Sequence, residues 1–143
     1  MLEEADGGGS PIPVPEGANG EKLAAMVNEA IRIANDDSYY YLWGGTGPLG
    51  YDCSGLISVL YNKYLGVDTG RTSAAMHSRL QGNKVSMSSL KAGDILWKKG
   101  HVALYIGGGQ IVEAYSSKVP KSEQIRVTGL APGRFTEAYR IIP

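Results

Sequence analysis

The sequence has one cysteine in 143 residues, which excludes an internal disulfide framework and a zinc site built from several cysteines. It also has no long apolar run, whereas a membrane-spanning helix needs about 20 such residues in a row. The acidic start has no apolar core of the kind found in secretory signals, so we expect no signal peptide in this chain. Because 43% of the residues are hydrophobic and 20% are charged, the composition is that of one folded globular domain.

The formal net charge is zero, but the two signs are unevenly distributed. Residues 1–37 hold eight acids and two bases, a net charge of −6, and residues 38–143 hold six acids and twelve bases, a net charge of +6. A basic main body favours an anionic partner, although a diffuse basic surface without a partner is equally compatible with these numbers. The sequence has no lysine- and arginine-rich run with interleaved aromatics, so we do not expect nucleic acid as the partner.

Glycine is abundant, at 20 residues, and a stretch rich in glycine and proline precedes the predicted domain. Residues 1–20 contain a Gly-Gly-Gly-Ser stretch and three alternating prolines, which predicts a flexible linker, the cut edge of a longer protein or a cloning remnant. Residues 21–143 are predicted to form the domain. Apolar residues at three- and four-residue spacing predict helices over residues 21–35 and about 52–64, and a shorter one near 73–80.

The segment 41–50 is too rich in helix and strand breakers to be regular. The second half of the chain, in contrast, has short runs typical of strands, with a tight hairpin predicted at the three glycines 107–109. Helices followed by antiparallel strands predict an α+β fold, in which the helices pack on one side of a sheet of about five or six strands. The predicted strands are residues 94–97, 101–106, 110–115, 124–127 and 137–142.

The single cysteine, Cys53, lies at the start of the second predicted helix. Unpaired backbone N–H groups and the positive end of the helix dipole favour the thiolate there, which is the nucleophilic form of the side chain. The small neighbours Ser54 and Gly55 leave the thiol uncrowded. The alternative is a buried, inert cysteine.

A nucleophilic cysteine needs a base, and the sequence has two histidines. His101 opens a predicted strand, from which its imidazole can reach a thiol, whereas His77 is expected to be solvated on a helix surface. Across the predicted hairpin, Glu113 lies roughly opposite Ala103 or Val102, within reach of His101. It is therefore a candidate for the group that orients the imidazole. The alternative is an outward-facing, solvated glutamate.

From about residue 21, the chain resembles the NlpC/P60 family of bacterial cell-wall cysteine peptidases. Six segments carry this resemblance in the family's order, with Ala92 in place of a proline in the fourth. They are Tyr-Leu-Trp-Gly-Gly at 41–45, Tyr-Asp-Cys-Ser-Gly at 51–55, Arg-Thr-Ser at 71–73, Leu-Lys-Ala-Gly-Asp at 90–94, His-Val-Ala-Leu-Tyr-Ile-Gly at 101–107 and Gly-Gln-Ile-Val-Glu-Ala at 109–114.

The resemblance implies a papain-like fold and a catalytic triad. In that triad Cys53 is the nucleophile, His101 the general base and acid, and Glu113 the orienting group. The family most often has histidine at the third position, so Glu113 is a departure. A carboxylate accepts the imidazole N–H at least as well, and other members carry glutamate there, so we expect activity to be retained.

The resemblance also implies a substrate site and a setting. Tyr41 matches a tyrosine that shapes the oxyanion and substrate site, and Asp52 and Ser54 match residues that grip the free amine of a stem peptide beginning with L-alanine. The implied substrates are peptidoglycan stem peptides, cut commonly between γ-D-glutamate and the diamino acid. No metal or other cofactor is expected. The expected setting is extracellular or in the cell wall, as a monomer attached to other domains in a longer protein.

Two alternative functions stay open at this point. An N-acetylmuramoyl-L-alanine amidase can use the same residues on a related fold. A catalytically silent, wall-binding module of a phage or conjugation apparatus is the third possibility, although the intact cysteine and histidine argue against it.

Overall fold

The structure is a computed structural model that describes residues 10–143. Within these residues, four α-helices, a short 3-10 helix (Gln81–Asn83) and eight strands form an α+β fold, as predicted from the sequence. Six strands make one antiparallel sheet in the order β3-β8-β4-β5-β6-β7, and β1 and β2 form a separate parallel pair. The elements are α1 (Gly20–Ala34), β1 (Tyr40–Tyr41), β2 (Gly50–Tyr51), α2 (Cys53–Leu65), α3 (Ser73–Arg79), β3 (Lys84–Val85), β4 (Ile95–Lys98), β5 (His101–Gly107), β6 (Gln110–Ala114), α4 (Lys121–Gln124), β7 (Ile125–Gly129) and β8 (Glu137–Tyr139).

The two long helices begin and end at residues with clear capping chemistry. Asn19 caps α1, since its side chain accepts a hydrogen bond from the N–H of Lys22, and Asp52 caps α2 in the same way. Gly66 ends α2 in the left-handed conformation, with φ of 67°. None of the helices within residues 10–143 is both long enough and apolar enough to cross a membrane.

The sheet has apolar side chains on both faces. Val102 and Leu104 of β5 belong to the main core, which α1 and α2 cover, as the sequence predicted. Ala103, between them, points to the opposite face because successive strand residues alternate. That second face carries a smaller cluster, whose buried members are Leu96, Ala103, Ile111, Phe135 and Ala138.

The predicted strands agree with the observed ones to within one or two residues, except for the last. The structure also has three two-residue strands that the sequence did not predict, β1, β2 and β3. The glycine-rich segment 41–50, expected to be irregular, takes part in the parallel pair β1–β2 at both of its ends. The last strand ends at Tyr139, three residues earlier than predicted. Ile141 and Ile142 are both buried in the main core, and two consecutive buried side chains do not fit the alternation of a strand with one face in that core.

Part of the predicted linker is in contact with the domain. Residues 1–9 lie outside the described residues. Ile12 is buried, and its N–H donates a hydrogen bond to Oδ1 of Asn83, 3.0 Å away. The chain therefore already packs against the domain at Ile12, ahead of the predicted domain start at residue 21.

Candidate active site

Cys53 is the first residue of α2, and a close-packed loop supports this helix end. Asp52, the capping residue, accepts the N–H of Gly55 at 2.6 Å. Gly55 needs its lack of a side chain, because an added Cβ would lie 2.0 Å from the carbonyl oxygen of Gly45. The glycine-rich loop and the start of α2 are thus in direct contact beside the thiol.

A cleft of about 440 Å³ opens beside Cys53, between the N-terminus of α2 and the start of β5. It brings together residues from the glycine-rich loop, both sides of the α2 N-terminus, the segment before α3 and the sheet. Its lining residues are Tyr41, Trp43, Gly44, Asp52, Cys53, Ser54, Arg71, Thr72, Ser73, Gly100, His101 and Tyr115.

His101 is the first residue of β5, and its imidazole is held between a carboxylate and an aromatic ring. Nε2 lies 2.8 Å from Oε1 of Glu113, and the ring stacks on Phe135 with the centroids 5.9 Å apart. This pairing leaves Nδ1 as the imidazole nitrogen available to the Cys53 thiol. The register pairs Leu104 with Val112, so the next pair is Ala103 with Glu113, one of the two placements expected from the sequence.

The thiol and the imidazole change each other's protonation. Burial raises the pKa of Cys53, but the interaction with His101 and a hydrogen bond from the N–H of Val102 outweigh it and leave the pKa below its usual value. Burial lowers the pKa of His101, and its hydrogen bonds with Cys53 and Glu113 raise it above its usual value overall. Both directions favour a thiolate–imidazolium pair at neutral pH.

Glu113 is a fully buried carboxylate with three cationic or potentially cationic neighbours. Besides His101, it accepts hydrogen bonds from Nε of Arg126 at 3.0 Å and from both terminal nitrogens of Arg134 at 2.9 and 2.7 Å. Its side chain has no exposed surface. Burial raises the pKa of Glu113, but these hydrogen bonds outweigh burial and lower it to about 2. The carboxyl is therefore ionised throughout the neutral range.

Asp52 has no acceptor capacity left for a further donor. Its Oδ1 accepts from the N–H of Gly55, from Arg71 at 3.1 Å and from Ser54 Oγ at 3.3 Å. Its Oδ2 accepts from the N–H of Gly44 and from Arg71, both at 3.1 Å. A carboxylate offers about four lone-pair sites, so these five donors fill it. Ser54 is itself tied to Arg71, whose terminal nitrogen lies 3.1 Å from Ser54 Oγ.

Two aromatic residues of the glycine-rich loop differ in their surroundings. Tyr41 is half-buried, and burial together with the negative charges of Cys53 and Asp52 raises the pKa of its hydroxyl. The hydroxyl therefore stays protonated and able to donate at neutral pH. Trp43 has 87% of its surface exposed at the edge of the cleft.

The structure brings all six residues proposed from the sequence to one site: Tyr41, Asp52, Cys53, Ser54 and His101 line the cleft and Glu113 contacts His101 from beneath the surface. No role follows for Arg71 from the sequence, although it lies in the family-like segment 71–73, and Arg126, Arg134 and Phe135 are not among the predicted site residues. Arg126 has a cross-strand signal, since it is paired with Glu113 in the β6–β7 register. Arg134 and Phe135 lie in a loop and have no local signal.

The sequence predicted that His77 is solvated on a helix surface, but in the structure its ring has two side-chain partners. Its ring stacks on Trp97 with centroids 4.2 Å apart, and its Nε2 lies 3.4 Å from a carboxylate oxygen of Glu137. It does not line the cleft. Within residues 10–143, no three side chains of His, Cys, Asp or Glu are grouped as metal ligands.

Curated proteins with similar sequences include Protein P54 of Enterococcus faecium, 40% identical over 96 residues that are 64% of this chain. The probable endopeptidase Cgl2188 of Corynebacterium glutamicum is 44% identical over 86 residues, 58% of this chain, and the probable endopeptidase YafL of Escherichia coli is 36% identical over 100 residues, 64% of this chain. The matched regions span 18%, 40% and 38% of the lengths of these three relatives.

Solved structures with a matching fold include two that are named as peptidoglycan hydrolases. The NlpC/p60 domain of the peptidoglycan hydrolase SagA matches with a TM-score of 0.65 and 31% identity, over 85% of this chain and 98% of that domain. The peptidoglycan hydrolase RipB of Mycobacterium tuberculosis matches with a TM-score of 0.64 and 27% identity, over 92% of this chain and 74% of that one. The model of the NlpC/P60 family matches residues 38–132, which include all six sequence-predicted site residues. This chain belongs to the NlpC/P60 family.

Proposed function

We propose that this domain is a cysteine endopeptidase that hydrolyses stem-peptide bonds of bacterial peptidoglycan. The observation that carries the proposal is the line of contacts from the α2 N-terminus to the sheet: the thiol of Cys53, the imidazole of His101 and the carboxylate of Glu113. Relatives named as probable endopeptidases, and similar structures named as peptidoglycan hydrolases, support the reaction class.

The proposed reaction proceeds through an acyl-thioenzyme. The Cys53 thiolate attacks the carbonyl carbon of the scissile amide, and the oxyanion is stabilised by the N–H of Cys53 at the helix N-terminus and by the Tyr41 hydroxyl. His101, as imidazolium, gives its proton to the leaving amine. The neutral imidazole then takes a proton from water, whose oxygen attacks the thioester carbon. The C–S bond breaks, which releases the acid and restores the Cys53 thiolate beside the His101 imidazolium.

A stem peptide that is still attached to its glycan strand fits this cleft better than a free stem peptide does. A free stem peptide that begins with L-alanine presents an ammonium group, for which Asp52 and Ser54 are the candidate acceptors. Arg71 already occupies both oxygens of Asp52, and its positive charge disfavours a second cation beside it. We therefore propose stems whose alanine nitrogen is amide-linked to the glycan, with the bond after γ-D-glutamate as the cleavage site.

The proposed setting follows from the substrate. A domain that hydrolyses peptidoglycan acts in the cell wall or outside the cell. The three curated relatives named above are longer than this chain, so we propose a catalytic module that works with other domains in the natural protein. We also propose that the module is a monomer.

The test is digestion of purified sacculi, with the products identified by mass spectrometry. The endopeptidase leaves L-alanyl-γ-D-glutamate on the glycan and exposes the amine of a diamino acid. An amidase instead releases whole stems with a free L-alanine amine. The C53A variant is the control for contaminating hydrolases. Release of whole stems would show that the domain cuts the amidase bond instead of the proposed one. Sacculi that stay intact would refute the proposed hydrolase function.

A further inference from the structure

The carboxylate of Glu113 is bound by three side chains that come from three parts of the fold. His101 belongs to β5, Arg126 to β7 and Arg134 to the loop between β7 and β8. Both arginine side chains are partly buried, with exposures of 25% and 26%. We call Arg126 and Arg134 the guanidinium clamp.

The geometry of the clamp fixes the direction of the carboxylate. Arg134 contacts both oxygens, Oε2 at 2.9 Å and Oε1 at 2.7 Å, which sets the plane of the carboxyl group. Arg126 contacts Oε2, at 3.0 Å through Nε and 2.9 Å through its terminal nitrogen. Oε1 therefore keeps one direction for His101, which it meets at 2.8 Å.

The charge balance explains why the carboxylate needs the clamp. An unpaired carboxylate with no exposed surface is strongly unfavourable, and a neutral imidazole alone does not compensate for it. With two guanidinium groups beside it, Glu113 stays ionised whether His101 is protonated or neutral. The clamp also offsets part of the negative potential that Glu113 exerts on His101.

The clamp is itself supported on both sides by aromatic rings. The Arg126 guanidinium lies 3.7 Å from the ring centroid of Tyr115, and the Arg134 guanidinium lies 4.9 Å from that of Phe135. Phe135 also stacks on His101, so one loop supplies both a contact to the imidazole and a contact to its carboxylate.

We propose that Arg134, assisted by Arg126, is a positioning residue that holds the Glu113 carboxylate ionised and aimed at Nε2 of His101, and so sets the pH at which the Cys53 thiolate forms. The proposal rests on the proposed function only in taking Cys53 and His101 as the reactive pair. The charged and titratable groups around this pair are Tyr41 on β1, Asp52 at the α2 N-terminus, Arg71 before α3, Glu113 on β6 and Tyr115 after β6, with Arg126 on β7 and Arg134 in the last loop reaching it through Glu113.

The test is the rate at which iodoacetamide alkylates Cys53 between pH 4 and 10. Cys53 is the single cysteine, so the rate follows its thiolate without any substrate. Arg134→Gln releases the Glu113 carboxylate from its fixed direction, so the imidazolium of His101 is less stabilised and the thiolate–imidazolium pair gives way to the neutral thiol and imidazole. We therefore expect the midpoint of thiolate formation to rise by roughly half a pH unit. Arg134→Lys keeps the charge and should keep the midpoint close to that of the wild type. If Arg134→Gln does not fold, as judged by circular dichroism, Arg126→Gln tests the same shift.

The same measurement in a Glu113→Gln background separates positioning from a direct charge effect. If the clamp acts through Glu113, Arg134→Gln should produce less than half of its shift in that background. Arg79→Gln is the matched control, because Arg79 carries the same charge and binds the backbone oxygen of Asp68 instead. We expect no shift for it.

Two results would overturn the clamp proposal. An unchanged midpoint in Arg134→Gln would show that the arginine only packs, and an equal shift in both backgrounds would show that it acts on the thiol through space. These results are independent of the proposed function, since alkylation needs no peptidoglycan. If the expected shifts are observed but the protein leaves sacculi intact, the clamp proposal stands and the proposed hydrolase function is refuted.

Discussion

At the scale of single residues, the site depends on side chains whose ordinary properties their surroundings have changed. The Cys53 thiol has a lowered pKa, the His101 imidazole a raised one and the Glu113 carboxyl a pKa of about 2. Each change favours the charged form of a group that is wholly or largely buried. Opposite charges compensate one another in this arrangement, so removal of one partner affects the others.

The first prediction concerns the nucleophile. We expect Cys53→Ala and Cys53→Ser to fold like the wild type and to lose wall hydrolysis by at least about 1,000-fold, since a serine hydroxyl is not ionised by this imidazole. The measurement is the loss of turbidity of a cell-wall suspension, with melting temperatures as the folding control. Clearing by either variant at the wild-type rate would exclude the cysteine mechanism.

The second prediction concerns the dependence of the free energy of unfolding on pH below 7. The pKa of Glu113 is lowered from 4.5 to about 2 by folding, so its ionised form stabilises the folded state at a pH above about 4.5. That contribution, on the order of 3 kcal/mol, is lost as the pH falls from about 4.5 towards 2. His101 is protonated throughout this window and adds no further change there.

We therefore expect the stability difference between the wild type and Glu113→Gln to be largest near neutral pH and to shrink as the pH falls below 4.5. Urea unfolding of both proteins at a series of pH values measures it, and carboxylates common to both cancel. A difference that stays constant down to pH 2.5 would mean that Glu113 is not held ionised by its arginine neighbours.

At the scale of elements, the N-terminus of α2 and the glycine-rich loop form one unit. The carbonyl of Gly45 accepts hydrogen bonds from the N–H of Asp52 at 3.1 Å and from Arg71 at 3.4 Å. The same oxygen lies against Gly55, where a side chain has no room. Small residues after Cys53 are therefore needed so that the loop can approach the helix end and form one wall of the cleft.

The third prediction follows from this close approach. Gly55→Ala pushes the Gly45 carbonyl away from Asp52 and Arg71, so we expect a loss of stability of about 1–3 kcal/mol and a marked fall in activity. Gly20→Ala is the matched control, because nothing lies within 4 Å of the added Cβ at that helical position. Thermal unfolding and sacculus digestion measure both variants. Equal behaviour of the two would show that the loop moves freely.

Elements with strong local signals could be predicted, whereas those made by distant contacts could not. The apolar spacing of α1 and the glycines between β5 and β6 determine their structure locally, and the observed bounds agree with the prediction. Arg134 meets Glu113 across 21 residues of sequence, and a loop residue carries no periodicity that would reveal this contact. Two-residue strands such as β3 are likewise too short to leave a pattern.

At the scale of the whole molecule, the site joins two sides of the sheet. Cys53, at the start of α2, packs against the main core, whereas Glu113 alternates with Val112 to the second face of the sheet, the face of Ile111. His101, at the end of a strand between them, contacts both sides. This position leaves the cleft open at the surface, where a polymer can enter it.

The distribution of charge complements this open cleft. Residues 38–143 carry a net charge of +6, and Lys98 and Lys99 are exposed directly before Gly100 and His101, which line the cleft. A cell wall is polyanionic when it bears teichoic acids, so attraction over several ångströms would raise the local concentration of the domain at the wall, its proposed substrate. Such attraction weakens as salt is added.

The last prediction is that lysis of whole walls slows as ionic strength rises from 0.1 to 1 M, where the Debye length falls from about 10 Å to about 3 Å. Cleavage of a small soluble muropeptide should change much less, because it lacks the polyanion. A Lys98→Gln/Lys99→Gln double variant should lose part of the salt dependence on walls, and Lys22→Gln, on α1 and away from the cleft, should not. Rates measured on both substrates across the salt series decide the matter. Equal salt dependence for walls and muropeptide would show that the basic surface has no part in binding the wall.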